Sequence, residues 1–301
     1  MASSIAQPSP ATVSPGAFSL EATRPTASEL TELAGILRRG TQLYLSSVAR
    51  QTLPELAVTA ALVRKAGLEP VPHIAARQLA SAAVFSELLA RLRGEADVRR
   101  LLVIGGDRDS PAGPFNDALA LIRGGALRAA GIEEIGLAGY PDGHPRIAPE
   151  EIEQALDAKI AAASIAGLAV HVVSQFCFEP QRIVAWLRRM RAAGIRQPVK
   201  VGLVGPTSFP ALLRFAARCG VRTSARALVS GAAGHLLGQV SPDEIISALT
   251  AATADVGQVS LHYYSFGGSI RTARYACDMA ERQSAAGHAI DRNIQITETR
   301  D

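Results

Sequence analysis

Three polar side chains stand where short apolar runs end, and each has a chemistry that enzymes use. Glu21 follows the apolar run 18–20, and a carboxyl shielded from water there can have its pKa raised enough to donate a proton near neutral pH. Asp107 follows a pair of glycines, whose bare backbone lets a planar ligand approach closely. Gln175 carries a neutral amide, which can pair its donor and acceptor edges with a heterocycle. These residue types indicate a site where a planar heterocycle is bound and protonated.

Each of these residues also has a purely structural interpretation, which the sequence leaves open. Glu21 could be a solvated loop glutamate or a partner of Arg24, and residues 105–107 could form a simple turn. His73 could be a histidine whose hydrogen bonds are satisfied inside the fold. Phe215 could pack in the core, as most phenylalanines do, or present a stacking face to a ligand.

Metal and serine-nucleophile chemistry are not indicated. His73 and His144 form no metal-ligand spacing with an aspartate or glutamate. Ser47 has neither a GxSxG context nor an obvious base. The three cysteines are widely spaced in apolar contexts without a CxxC pair, which is typical of buried thiols in a reducing compartment. We therefore predict no metal site.

The composition favours a globular protein that binds small molecules. Of 301 residues, 48% are hydrophobic and 19% are charged, which is enough to bury a sizeable core. A net charge of +4, scattered basic residues and 5% aromatics argue against a nucleic-acid surface. No apolar run is long enough to cross a bilayer, and residues 1–17 lack the charged start and apolar centre of a signal peptide. We expect a cytoplasmic protein without nucleic-acid or membrane partners.

The elements that must position these residues alternate between strand and helix eight times. The strands are predicted at 18–20, 43–46, 71–74, 101–104, 135–138, 169–174, 199–204 and 259–263. An amphipathic helix usually follows each strand, and a longer helical section, about 223–256, precedes the last one. This pattern predicts an α/β fold, a (β/α)8 TIM barrel with extra helices before the last strand, whose strand ends share one rim. No GxGxxG follows the first strand, which argues against a Rossmann fold.

The same pattern predicts one catalytic domain with a tail at each end. Residues 1–17, rich in Ala, Ser and Pro, are predicted to be a disordered tail. The barrel is predicted at 18–287 and a polar tail at 288–301. The last helix is expected at about 269–284.

Five motifs occur in a fixed order along the chain. They are Phe18-Ser19-Leu20-Glu21, Pro72-His73, Gly106-Asp107, Tyr140-Pro141-x-x-His144-Pro145 and Gln175-Phe176-x-Phe178. This ordered set, spanning about residues 18–285, resembles the methylenetetrahydrofolate reductase family. The resemblance implies a TIM barrel that binds FAD at the C-terminal ends of the strands. It also implies hydride transfer between reduced flavin and 5,10-methylenetetrahydrofolate, giving 5-methyltetrahydrofolate, with NAD(P)H as co-substrate.

The resemblance implies a role for each residue singled out above. Glu21 matches the family's acid, which protonates the five-membered folate ring and so generates the iminium that accepts hydride. Asp107 matches the aspartate beside flavin and pterin, where a carboxylate favours the developing cation. Gln175 matches the glutamine that binds the pterin edge, and Phe215 and Phe266 are expected to contact the substrate. The implied cofactor contacts are Ser47, His73, Gly105, Gly106, Asp107, Tyr140, His144 and Lys159.

The chain departs from the family's pattern at three places. Gly105 replaces the arginine of the family's Arg-Gly-Asp, which removes a cation from the flavin loop. In the segment 157–164, where the family is basic, Lys159 is the residue able to meet a phosphate. Residues 264–268 read Tyr-Ser-Phe-Gly-Gly instead of the family's Tyr-Thr-Leu-Asn-Arg. These changes concern how FAD and the nicotinamide are held, and they leave the acid, the aspartate and the glutamine in place.

Two other interpretations stay open. One is a barrel that binds folate or pterin for one-carbon transfer without flavin redox chemistry, and the other is a structural barrel unrelated to folate. The motifs do not encode the direction of the folate reaction or the choice between NADH and NADPH. We expect a homo-oligomer that binds tetrahydrofolate derivatives.

Overall fold

The strands close into one parallel barrel. The computed structural model describes residues 13–46, 52–208, 243–252, 256–266 and 268–298. Its strands are β1 (Val13–Ala22), β2 (Gln42–Leu45), β3 (Glu69–Ala75), β4 (Arg100–Ile104), β5 (Glu134–Gly139), β6 (Ala169–Ser174), β7 (Val199–Val204) and β8 (Val259–Tyr264). Each strand pairs in parallel with the next one, and β8 pairs with β1, which closes the barrel. The predicted TIM barrel is confirmed.

Helices alternate with the strands. They are α1 (Ala27–Ile36), α2 (Leu53–Lys65), α3 (Ala82–Ala96), α4 (Ala118–Arg123), α5 (Ala126–Ala129), α6 (Pro149–Ile165), α7 (Pro180–Ala192), α8 (Asp243–Ala251) and α9 (Ser269–Glu298). Local sequence starts several of them, because Thr26 and Thr52 each close a capping box with a glutamate three residues later. A proline stands in the first turn of α2, α6 and α7. In the part of the chain that the structure describes, no helix is both long and apolar enough to span a bilayer.

The apolar core has two layers. The larger one joins residues of the strands to the apolar faces of the surrounding helices. The smaller one lies inside the barrel and consists of Tyr44, Val71, Leu102 and Val173, with Ile104 packed against it. Since alternate residues of each barrel strand face the interior, the polar side chains that interrupt the apolar runs share this interior. The barrel therefore has an apolar middle with polar groups on both sides of it.

A buried polar network fills the barrel at the end where the strands begin. Glu134 contacts His171 Nδ1 at 2.7 Å and accepts a hydrogen bond of 2.6 Å from Arg100 Nε. His171 Nε2 lies 2.7 Å from the Tyr44 hydroxyl. Gly136 makes room for this ring, because a Cβ there would lie 2.8 Å from His171 Nε2. The hydrogen bond with His171 outweighs burial and, with the charges of His171 and Arg100, lowers the pKa of Glu134 to about 2.

The first strand begins earlier than predicted. β1 starts at Val13 rather than at residue 18, and Val13 pairs with Val259 of β8. Residues 13–17, which the sequence assigned to the tail, therefore lie in β1. Their Ser, Pro and Gly content concealed the strand, and the register shift between Val13 and Phe18 shows that the pairing is irregular there.

Two helix boundaries also differ from prediction. The apolar pattern at about 116–130 continues across Gly124-Gly125, but the structure has two short helices there, α4 and α5, because Gly125 adopts φ of +74°. The last helix, α9, continues to Glu298 and includes residues 288–298, which were expected to form a polar tail. No proline interrupts α9, and its single glycine, Gly287, costs only about 1 kcal/mol. The helix predicted at 208–219 and much of the section 223–256 lie outside the described residues, with α8 inside them.

Candidate active site

Glu21 lies inside the barrel near the C-terminal end of β1. It is in register with Tyr44 of β2 and Tyr264 of β8, and its side chain is 16% exposed. Ser46 donates a hydrogen bond of 2.6 Å to Glu21 Oε1, and Thr23 donates one of 3.0 Å to Ser46 Oγ. The solvated loop glutamate considered above is therefore wrong. The carboxyl group is held in one orientation near the mouth of the barrel.

Two buried histidines flank the other oxygen of Glu21. Nε2 of His73, on β3, and Nε2 of His262, on β8, each lie 3.6 Å from Glu21 Oε2. Neither nitrogen has a hydrogen-bond partner among the described residues. Ser19 fixes the second ring, because its Oγ lies 2.9 Å from His262 Nδ1. We call Glu21, His73 and His262 the Glu21 cluster.

The electrostatics of this cluster differ from the sequence-based expectation. Burial raises the pKa of Glu21, but the charge of His73 and the contacts with His262 and Ser46 outweigh it, so the pKa lies below its usual value. Burial lowers the pKa of His73 and of His262, and the nearby carboxylate opposes this only in part. The expected rise in the pKa of Glu21 is wrong, because burial brings two basic rings with it.

Asp107, Tyr140 and His144 form a second group, at the ends of β4 and β5. The rings of Tyr140 and His144 meet edge to face, with centroids 5.3 Å apart. Burial raises the pKa of Tyr140, and the charge of Asp107 raises it further. Burial and the charge of Arg146 lower the pKa of His144, while Asp107 opposes them. The structure thus brings together three of the predicted site residues.

The loop that carries Asp107 is fixed by an arginine and shaped by a glycine. Arg77, after β3, donates hydrogen bonds to the backbone carbonyls of Arg108 at 2.9 Å and Asn116 at 2.8 Å. Gly106 has φ of +93°, which favours glycine. A Cβ at Gly105 would meet nothing within 4 Å. The turn therefore needs glycine at position 106, whereas position 105 has open space.

Gln175 and an aromatic group form the third part of the site. The backbone N–H of Gln175 donates to Gly139 O at 2.8 Å, which ties the end of β6 to that of β5. Phe176 packs against Phe178, Tyr264 and Phe266 at 5.2–5.6 Å between ring centroids. The stacked pair of Tyr264 and Phe266 completes the group, with planes 22° apart.

The aromatic group is continuous with the Glu21 cluster. Tyr264 donates a hydrogen bond of 2.9 Å to Ser174 O, and its ring lies 4.9 Å from that of His262. The residues predicted on β6 and after β8 are thereby joined to Glu21.

Three further predicted contacts stay predictions. Ser47 and Phe215 lie outside the described residues. Burial lowers the pKa of Lys159 on α6, and the charge that opposes this belongs to Asp117. Lys159 is therefore half-buried, and the charge of Asp117 acts on it. The described residues contain no group of three or more side chains suited to a metal ion.

Ser46, Tyr44 and His262 could not be identified from the sequence alone. Their signal is the strand period, since Tyr44 with Ser46, and His262 with Tyr264, are two apart at strand ends. Such pairs share one face, and in a barrel that face is the interior. A polar residue at the end of an apolar run stands out in the sequence, whereas one inside the run resembles its core neighbours.

The family is decided by comparison with known proteins. The sequence profile of methylenetetrahydrofolate reductase matches residues 41–229, more than half of the chain. The chain belongs to the methylenetetrahydrofolate reductase family. Methylenetetrahydrofolate reductase 2 of Saccharomyces cerevisiae is 29% identical over 80 residues. That alignment covers 27% of this chain and 13% of the yeast reductase.

Two solved structures that resemble this reductase-family chain do so at low sequence identity. The dihydropteroate synthase of Thermus thermophilus is 18% identical, with a TM-score of 0.47 over 88% of this chain and 92% of that one. A catalytic lysine mutant of the sialic acid aldolase of Ruminococcus gnavus is 11% identical, with a TM-score of 0.48 over 93% and 76%. Similarity this low carries no functional conclusion.

Proposed function

We propose that this protein transfers a hydride between a flavin and a folate, interconverting 5,10-methylenetetrahydrofolate and 5-methyltetrahydrofolate, with NAD(P)H as the other partner. The observation that carries the proposal is the Glu21 cluster. In a barrel of this family, Ser46 holds a carboxyl near the mouth and two imidazoles flank it. Opening the folate ring requires a group at this place that can hold and release a proton.

Glu21 acts as the general acid in the reduction. Its proton passes to the nitrogen that leaves when the five-membered folate ring opens, and the iminium carbon so formed accepts the hydride. In the oxidation the same carboxylate takes the proton back. Because the pKa of Glu21 lies below its usual value, the carboxylate is ionised near neutral pH in the free protein. A proton must therefore reach Glu21 before the folate ring opens.

Asp107 and Gln175 orient the pterin and stabilise its charge. The exposed carboxylate of Asp107 follows β4, where it favours the cation that develops on the folate. Gln175, tied to Gly139 through its backbone, offers an amide to the donor and acceptor edge of the pterin. Phe266, stacked on Tyr264, supplies an apolar wall for the substrate.

The loop after β4 fits the ring of FAD better than its pyrophosphate. Gly106 at φ of +93° and the open space at Gly105 let a planar ring approach the backbone. A bound flavin supplies the hydride donor and acceptor. Lys159 is the cation assigned to the pyrophosphate, and the negative charge of Asp117 acts on it. We assign flavin binding chiefly to the ring contacts of His73, Gly106, Tyr140 and His144.

Lys159 is the only cation that we assign to the FAD pyrophosphate, so a second function is worth testing. This function is that of a barrel that binds folate for one-carbon transfer without a flavin. The visible spectrum of the purified protein separates the two, because bound flavin absorbs visible light and a folate alone does not. A colourless protein that takes up no FAD and oxidises no nicotinamide in the presence of methylenetetrahydrofolate would favour the second function.

Replacing Asp107 by Asn should slow the folate half-reaction about 10- to 100-fold, because the neutral amide no longer stabilises the developing cation. The rate is measured by mixing reduced protein with methylenetetrahydrofolate in an anaerobic stopped-flow instrument. Asp109→Asn is the matched control, since Asp109 is on the same loop, 93% exposed and paired with Arg146 at 3.2 Å. Unchanged folate and nicotinamide rates in Asp107→Asn would remove Asp107 from the site.

Replacing Gly105 by Arg should tighten FAD binding about tenfold, because it restores the cation that the family carries in this loop. The open space at position 105 admits the side chain without a clash at Cβ. FAD affinity is measured by fluorescence titration of the apoprotein at low and high salt. Gly94→Arg, which adds the same charge at an exposed position of α3 with equal space, should leave the affinity unchanged. Equal affinities for the Gly105 variant and the wild type would refute the assignment of this loop.

A further inference from the structure

Two buried imidazoles each direct one ring nitrogen at the same oxygen of Glu21. Nε2 of His73 and Nε2 of His262 are buried and have no hydrogen-bond partner within the described part of the chain. Each lies 3.6 Å from the same oxygen, Glu21 Oε2. Burying a polar nitrogen without a hydrogen bond is unfavourable, and the fold places two such nitrogens around one carboxyl oxygen. This arrangement needs an explanation beyond packing.

The positions of both rings are fixed by contacts that leave Nε2 directed at Glu21. Ser19 contacts the opposite nitrogen, Nδ1, of His262 at 2.9 Å. Tyr44 meets both histidines edge to face, with centroids 4.6 Å from His262 and 6.0 Å from His73. Both rings are therefore held beside Oε2 of Glu21, whereas Ser46 binds the other oxygen, Oε1.

We propose that Glu21, His73 and His262 hold one proton in common, and that the imidazoles return to Glu21 the proton it gives to the folate. This inference rests on the proposed function and adds two positioning residues that act on the substrate through Glu21. The proton that leaves Glu21 in ring opening is replaced from an imidazolium Nε2 beside it. The imidazole then takes a proton from solvent, which balances the one proton that each folate reduction consumes.

The protons balance in both directions. In the reduction, the Glu21 Oε2–H bond breaks and an N–H bond forms on the folate, after which an imidazolium Nε2–H bond breaks and Oε2–H forms again. In the oxidation, the folate nitrogen loses its proton to Glu21, which passes it to an imidazole. Electrons move only with the hydride, and the imidazoles take no part in that step.

Charged and polar groups from several strands set how tightly His262 holds the proton. Glu21 on β1 favours the imidazolium, while Lys200 on β7 and His73 on β3 disfavour it. From β2 and β8, the rings of Tyr44 and Tyr264 border it without charge. Burial lowers the pKa of both histidines, and Glu21 is the group that raises it. An imidazole therefore holds the proton only while Glu21 is a carboxylate.

The shared proton is tested by NMR titration of protein labelled with 15N in its six histidines. In Glu21→Gln, the imidazole pKa values of His73 and His262 should each fall by about one to three pH units, because their anionic neighbour is gone. His171, which contacts Glu134 and Tyr44 instead, should titrate as in the wild type. Titrations of His73 and His262 that do not respond to Glu21→Gln would overturn the proposal.

The return of the proton is tested with His262→Gln, since glutamine keeps a polar side chain but cannot carry the proton. Folate turnover should fall about tenfold at about pH 8 and much less at about pH 6, with flavin reduction by NAD(P)H unchanged. If His262→Gln does not fold, His73→Gln is the second variant, and only the pH profile of its folate half-reaction is compared, because His73 is also assigned to the flavin. His171→Gln is the matched control for loss of a buried imidazole. A pH profile that superimposes on that of the wild type would refute the relay while the folate activity stands. If the wild type turns over no folate, the proposed function fails, and the NMR titration alone decides the shared proton.

Discussion

Replacing Glu21 by Gln should reduce turnover of methylenetetrahydrofolate by about 10²- to 10⁴-fold, the contribution typical of a general acid. Glutamine matches the shape of the glutamate and can still accept the hydrogen bond from Ser46. It has no proton to give to the folate nitrogen, so the ring stays closed. Reduction of the flavin by NAD(P)H needs no such proton and should stay within about twofold of the wild type.

The two half-reactions must be measured separately to make this result decisive. Anaerobic mixing of oxidised protein with NAD(P)H gives the first rate, and mixing of reduced protein with the folate gives the second. Glu32→Gln is a suitable control, because Glu32 is on the outer helix α1 and pairs with Arg274 at 3.1 Å. Equal losses in both half-reactions would argue that Glu21 supports the site rather than protonating the folate.

Replacing Glu134 by Gln should lower the free energy of unfolding by about 1–3 kcal/mol near neutral pH. The carboxylate bridges His171 and Arg100 at the end of the barrel where the strands begin. The glutamine amide gives both residues a weaker hydrogen-bond partner. The side chains of Glu134 and Arg100 are 26% and 35% exposed, so the loss is smaller than for a fully buried pair. Urea unfolding followed by circular dichroism measures it.

Glu133 provides the matched control for this stability effect. It is adjacent in sequence and pairs with Arg99 at 2.7 Å, but both side chains are well exposed. Glu133→Gln should therefore change the free energy of unfolding by no more than about 0.5 kcal/mol. Similar losses for the two variants would contradict a special role of the buried network.

The same network predicts how stability depends on pH. The folded-state pKa of Glu134 is about 2, below the ordinary value of 4.5, so the folded protein holds the carboxylate in its ionised form. This contribution is fully present above about pH 4.5 and is lost as the pH falls toward 2. Across that range the wild type should lose more stability than Glu134→Gln, and parallel curves would contradict the lowered pKa.

The fold and two of the three parts of the site follow from the sequence for simple reasons. Strands buried on both faces are continuous apolar runs, so β6 and β7 could be located to the residue. Once parallel strands alternate with helices, their C-terminal ends share a rim. Asp107 and Tyr140, which follow neighbouring strands, are expected near each other there, and the charge of Asp107 does raise the pKa of Tyr140.

The remaining part, the Glu21 cluster, depends on register, which the sequence does not display. His171 and His262 look alike as single polar residues inside apolar runs, yet only His262 faces Glu21. His171 is the third residue of β6 and His262 the fourth of β8, and the stagger of the barrel strands places them at different depths. The sequence also hides the lowered pKa of Glu21, because the residues that lower it come from other strands.

The most direct test of the proposed function is one anaerobic single turnover. Protein carrying reduced FAD is mixed with 5,10-methylenetetrahydrofolate, and the visible flavin absorbance is followed while 5-methyltetrahydrofolate is quantified. We predict that the flavin is reoxidised with formation of one equivalent of product, and that Glu21→Gln stays reduced on the same time scale. A wild-type flavin that stays reduced in the presence of saturating folate would contradict the proposed function.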